Sequence, residues 1–138
     1  MVPRSPEPTK PPSDLLIVEE EQRFPRHVRL LNGRDFQGVF KHTECRSVDN
    51  KLTVLARQND LGYARLGLAI SKRIIKTAVG RNRVKRLVRE SFRLHQSSLA
   101  GLDIVVMSRD GAPQASNPEL TAALQTHWRR IAKQCARS

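Results

Sequence analysis

Arg81-Asn82-Arg83-Val84-Lys85-Arg86-Leu87-Val88-Arg89-Glu90-Ser91-Phe92-Arg93 is the stretch on which the reading of this chain turns. It holds no Pro or Gly, so it can form one helix, each residue turning about 100° from the last. On that wheel Asn82, Lys85, Arg86, Arg89 and Arg93 share one face. Val84, Leu87, Val88 and Ser91 take the opposite one, so one side is expected to pack on a core while the other meets something else. Lys85/Arg89 and Arg89/Arg93 are like charges at i,i+4, each disfavouring the helix by roughly a few tenths of a kcal/mol. Arg86/Glu90 is the opposite-sign pair at that spacing. A helix that stacks cations this way is suited to an external polyanion, because each phosphate it neutralises releases condensed counterions.

The whole chain has the same bias. It has 138 residues, with 25 Lys and Arg against 13 Asp and Glu, a formal net charge of +12. That length makes one domain with a modest core, and that charge points to nucleic acid as the partner. An anionic membrane is the rival, but no stretch approaches the roughly 18 apolar residues needed to span a bilayer. The opening Met1-Val2-Pro3-Arg4-Ser5-Pro6 lacks the apolar region of a secretory signal, so a cytoplasmic location is expected. Cys45 and Cys135 form no metal-ligand spacing and are expected as two free thiols. His27, His42, His95 and His127 are scattered, with structural or solvent-facing roles expected. No nucleophile–base constellation stands out.

Pro3, Pro6, Pro8, Pro11 and Pro12 mark residues 1–22 as a disordered tail, which also carries Glu19-Glu20-Glu21. The folded domain is expected over residues 23–138. Asn32 followed by Asp35 resembles a capping box, opening a short helix with Phe36, Val39 and Phe40 on one side. Leu52 to Ala56 and Arg65 to Ile70 read as strands, and the turn residues Asn59-Asp60-Leu61-Gly62 between them suggest an antiparallel hairpin. After the basic helix, Ile104-Val105-Val106-Met107 reads as a buried strand. Asn117-Pro118 reads as an N-cap and first helical residue, with Leu120, Leu124, His127, Trp128 and Ile131 as the packing stripe of the last helix. The order helix, two strands, helix, strand, helix predicts an α+β sandwich, a small sheet packed against helices.

Arg65-Leu-Gly-Leu-Ala-Ile-Ser-Lys-Arg over 65–73 and Ala78-Val79-Gly80 running into the basic helix resemble the protein subunit of bacterial ribonuclease P. Phe24-Pro25, Arg29-Leu30, Asp35-Phe36 and Val39-Phe40 resemble that family's amino-terminal segment. Leu102 to Val106 resembles its late strand, and Glu119 to Arg130 its last helix. The resemblance implies a fold of the ribosomal protein S5 second-domain type, with an unusual left-handed βαβ crossover. It also implies a cofactor protein for a catalytic RNA that removes the 5′ leader from precursor tRNA. Its partners would be that RNA and the leader, with no membrane and no obligate protein partner. Catalysis would rest with the RNA, with no catalytic or metal-binding residue in the protein and magnesium in the RNA-containing holoenzyme.

By position in the family motif, Arg81, Asn82, Arg83, Lys85, Arg86, Arg89 and Arg93 would dock on the RNA subunit. Asn82 could instead cap the helix. Phe36, Phe40, Lys72 and Arg73 would bind the leader, although the spacing of the two phenylalanines leaves core or cleft open. Leu52, Val54 and Leu55 are aliphatic where many relatives carry aromatics, which suggests looser leader binding. A ribosomal or RNA-chaperone protein of similar fold is the alternative, since fold alone does not specify function.

Overall fold

The architecture is that of a computed structural model, which describes residues 29–30 and 33–136. The tail expected over 1–22, the start of the domain at residue 23 and the cap expected at Asn32 lie outside these residues. In chain order the elements are β1 (Arg29–Leu30), α1 (Gly33–Lys41), β2 (Cys45–Val48), β3 (Leu52–Gln58), β4 (Arg65–Ala69), α2 (Ala78–His95), β5 (Leu102–Ser108) and α3 (Asn117–Cys135). The strands form one sheet in the order β1-β4-β5-β3-β2. The α+β class and the sheet-on-helix layering agree with the sequence reading.

Strand β5 organises the sheet. Its residues Leu102 to Val106 are all buried, because helices cover both faces. Ile104 and Val106 join Val84, Val88, Phe92, Leu120, Leu124 and Ile131 in the larger core, under α2 and α3. Val105 points the other way, to a smaller core with Phe36, Val39, Phe40, Leu55 and Ala69 under α1. Alternation of side chains across a strand is what lets one segment seal both layers.

That central role overturns the expected hairpin. β3 and β4 do not pair: β5 lies between them, antiparallel to β3 and parallel to β4. The turn near Asn59–Gly62 does exist, with Asp60 and Gly62 both at positive φ. It carries the chain past the slot that the most apolar strand fills later. The local hairpin is instead β2–β3, closed at Asp49, whose Oδ1 accepts the amides of Lys51 and Leu52 at 2.8 Å each. β4 and β5 are parallel neighbours joined through α2, so the basic helix is the crossover of a βαβ unit.

Two caps differ from expectation. Helix α2 begins at Ala78, capped by Thr77, whose side chain accepts the Gly80 amide at 3.0 Å. Asn82 therefore lies inside the helix and caps nothing. Gly80 is required at that first turn, since a Cβ there would stand 2.9 Å from both Ile75 Cγ2 and Thr77 Oγ1. Helix α3 is capped by Ser116, one residue before the expected Asn117, with a full capping box to Glu119.

Cys45 and Cys135 are not two free thiols. They are joined as a disulfide, with Cα atoms 6.1 Å apart, between the edge strand β2 and the end of α3. Ninety positions of sequence separate them, and nothing local reports that these two elements meet. The Gln134 amide closes the same junction, donating to Arg46 O at 2.8 Å and accepting from Arg46 N at 2.9 Å. Those two bonds satisfy open backbone groups of an edge strand, a usual way to block edge-to-edge pairing.

Candidate nucleic-acid interface

Helix α2 turns two different sides to the protein and to its surroundings. Val84, Val88, Ser91 and Phe92 are buried, with Leu87 packed at the margin. Asn82, Arg86 and Arg93 are exposed on the far side and Arg89 is half-buried beside them. The expected polarity of the helix is thus present, with one correction. Lys85 is buried. It follows Val84 and precedes Val88 by three positions, which places it at the rim of the apolar stripe rather than on the outer face.

Intramolecular bonds sort the arginines further. Arg81 Nη1 donates to Ile75 O at 2.9 Å, tying the helix to the loop before it. Arg83 Nη1 donates to Asn117 Oδ1 at 2.7 Å, tying it to the start of α3. Arg81 and Arg83 thus flank Asn82 on opposite sides and partly serve the fold. Glu90 pairs with Arg93 at 2.6 Å rather than with Arg86, so Arg93 gains the one carboxylate the outer face holds. Val79 and Leu94 add exposed apolar surface, at 80% and 70%, which the charge pattern did not point to.

Of the expected leader-binding residues, Phe36 and Phe40 belong to α1. Phe36 and Phe40 are stacked with ring centroids 6.4 Å apart, and both are buried against Leu55, Ala69 and Val105. Of the core and cleft placements, the structure gives them the core. Lys72 and Arg73 are exposed just past the end of β4, three and four residues beyond Ala69. Of Leu52, Val54 and Leu55, only Leu55 faces α1; the other two belong to the core under α2 and α3. An ion network fixes α1 over the sheet. Arg65 bonds Asp103 through Nε at 2.8 Å and Nη2 at 2.7 Å, and reaches Asp35 of α1 through Nη1 at 2.9 Å. Sequence reading missed this network because its members lie on three separate elements.

Of the four histidines, His27 lies outside the described residues. Fully buried His127 sits with Nδ1 2.6 Å from Ser47 Oγ and Nε2 3.3 Å from Asp49 Oδ2, the second contact lacking hydrogen-bond alignment. Burial pushes its pKa below the usual imidazole value, with Asp49 opposing the shift. Burial also works to raise the Asp49 carboxyl, but the amides of Leu52 and Lys51, helped by His127, hold it below its usual value. His95 bonds Ser91 O, and His42 is exposed. Among the described residues no group of three or more His, Cys, Asp or Glu could hold a metal ion, and no helix is long and apolar enough to cross a membrane.

The described surface thus joins an outward basic helix to a sheet with a buried aromatic pair beneath α1. Proteins similar in sequence and in fold are known. The family model for ribonuclease P matches residues 24–132. A ribonuclease P protein component of a Marinomonas species is 49% identical over 113 residues, 82% of this chain and 86% of that protein. One from Methylococcus capsulatus is 50% identical over 115 residues, 83% of this chain and 89% of that protein. The RNase P protein of Staphylococcus aureus has a similar structure, with a TM-score of 0.69 at 30% identity, covering 77% of this chain and 95% of that one. The RNase P protein of Thermotoga maritima, in complex with 1-(4-fluorophenyl)-2-thiourea, gives 0.65 at 32% identity, covering 71% and 94%. Sequence identity at this level over nearly the full length of both curated relatives, together with the matching fold, places the chain in the ribonuclease P protein family.

Proposed function

We propose that the chain is the protein subunit of ribonuclease P, that it docks on the catalytic RNA through the outer face of α2, and that it helps hold the 5′ leader of precursor tRNA. The observation that carries the docking assignment is the outward row Asn82, Arg86, Arg89 and Arg93 on a helix whose other side is anchored in the core. Arginine forks bridge phosphates bidentately, and the rigid anchoring lowers the entropic cost of presenting them. Arg81 and Arg83 flank the row, while buried Lys85 is left out of it.

The leader is assigned to the side of the sheet that α1 partly covers, and Lys72 and Arg73, exposed just past the end of β4, are assigned phosphate contacts with it. Phe36 and Phe40 shape that side from beneath instead of offering open stacking platforms. Hydrolysis of the phosphodiester is assigned to the RNA and its magnesium, and no protein side chain is given a bond-making role. The ribosomal or chaperone alternative has no observation in its favour.

The test is reconstitution. Precursor tRNA is incubated with the protein, with the catalytic RNA and with both, at low magnesium. Cleavage should need the RNA and be stimulated by the protein; cleavage by the protein alone, or no stimulation, overturns the reading. Replacing Arg86, Arg89 and Arg93 by Gln should flatten the log–log salt dependence of RNA binding by up to about one unit for each phosphate no longer neutralised.

A further inference from the structure

A second band of cations lies away from α2. Arg129, Arg130 and Lys133 are exposed on the last two turns of α3, and Arg46 is exposed on the adjoining edge strand β2. Among the described residues none of the four forms an ion pair. Helix α3 supplies no relief of its own: Glu119 is its last acid, and Arg129/Lys133 are like charges at i,i+4. The helix dipole stabilises a cation in the final turn, which accounts for Lys133 but not for Arg129, more than a turn from the end. The carboxylates on either side of β2 bond backbone amides. Glu44 accepts the Gln58 amide, and Asp49 accepts those of Lys51 and Leu52.

The band is held rigidly. Gln134 pairs with both backbone groups of Arg46, and the Cys45–Cys135 bond closes the same junction. Arg130 Nη1 lies 3.4 Å from Ser47 Oγ on β2. Helices α2 and α3 run side by side in the same direction, as the contacts Arg83–Asn117 and Ser91–Trp128 require. The α2 row and the cations of α3 therefore belong to neighbouring helices of one layer, whereas Arg46, paired in register with Leu55, turns its side chain to the α1 face at the sheet edge. Trp128, the aromatic residue of α3, is buried, so the band offers no ring on which an unpaired base could stack. Cations without stacking platforms suit the phosphates of a double helix, which proteins read by shape and backbone.

We infer that Arg129, Arg130 and Lys133 form a second RNA-binding surface that takes the phosphate backbone of a double-helical segment. This rests on the reading above of an RNA-binding subunit, and the occupant is a duplex region of the catalytic RNA.

The test compares the full chain with the variant Arg129→Gln/Lys133→Gln, neither of whose altered side chains makes a bond to another described residue. Binding is titrated against salt on three probes: the catalytic RNA, a 20-base-pair mixed-sequence RNA duplex, and one strand of it. The expected result is a log–log slope smaller by up to about two units on the catalytic RNA and the duplex, with a smaller change on the single strand. Melting temperature should be unchanged. An unchanged slope on the duplex, or a loss confined to the single strand, overturns the inference. An Arg86→Gln/Arg93→Gln variant run in parallel separates the two failures: if it too leaves binding to the catalytic RNA intact, the α2 docking assignment falls independently.

Discussion

Trp128 Nε1 donates to Ser91 Oγ at 2.8 Å, and both residues are buried. This bond, with the edge-on contact of Phe92 and Trp128 at 6.0 Å between centroids, sets the rotation of α2 against α3. Turning α2 about its axis would break both, so the bond that serves packing also aims Arg86, Arg89 and Arg93 outward.

Ser91→Ala should therefore cost more than a surface serine would. The indole N–H would be left buried without an acceptor, a loss of about 1–3 kcal/mol. Denaturant unfolding followed by tryptophan fluorescence measures it. A change near zero would mean that another group accepts the indole proton.

Phe36→Ala and Phe40→Ala should each destabilise the fold by about 3–5 kcal/mol, since both rings fill the core under α1. Affinities for precursor and mature tRNA should fall together, in step with the folded fraction. A variant that keeps its stability yet loses binding to precursor tRNA alone would place that ring in the leader cleft.

Stability should fall on mild acidification. His127 has its pKa lowered by burial, so below about pH 6.5 the unfolded chain takes up a proton that the folded one resists. The stability this group contributes is complete above that pH and is lost as pH drops through its lowered folded value. Asp49, also lowered, adds a loss of the same sign at more acidic pH, below the usual carboxylate value. Urea unfolding of the native chain and of His127→Phe between pH 5 and pH 7.5 tests this. The native chain should weaken across that range and the variant should respond less. Equal slopes would exclude His127 as the group responsible.

Breaking the Cys45–Cys135 bond should lower stability by about 2–4 kcal/mol, because the link closes a long loop in the unfolded chain. Thermal melts with and without a thiol reductant, and of Cys135→Ser, should agree. The Gln134–Arg46 bonds and the His127–Ser47 contact should keep α3 docked on β2 after reduction. A melting temperature indifferent to reductant would show that these contacts alone secure the junction.

The periodicity of residues 81–93 determined, without any tertiary information, that α2 has a core side and a basic side. Helical faces follow from local spacing, so Val84, Val88 and Arg86 could be assigned from sequence alone. The double-sided burial of β5 was legible for a similar reason: a short apolar strand with no polar alternation has no face to give to water. The stripe of α3 and the side of α1 that carries Phe36 and Phe40 followed in the same way.

Pairing was decided elsewhere. The aliphatic run of β3 and the alternation of β4 announce that each needs a neighbour, but not that β5, more than thirty residues later, will stand between them. The meeting of Cys45 with Cys135, the Arg65–Asp103–Asp35 network and the burial of Lys85 are likewise contacts between distant segments. Local preference and hydrophobic pattern act over a few residues and survive in the linear sequence. Which elements become neighbours depends on how all of the apolar faces can be buried at once, and that is settled only when the whole chain packs.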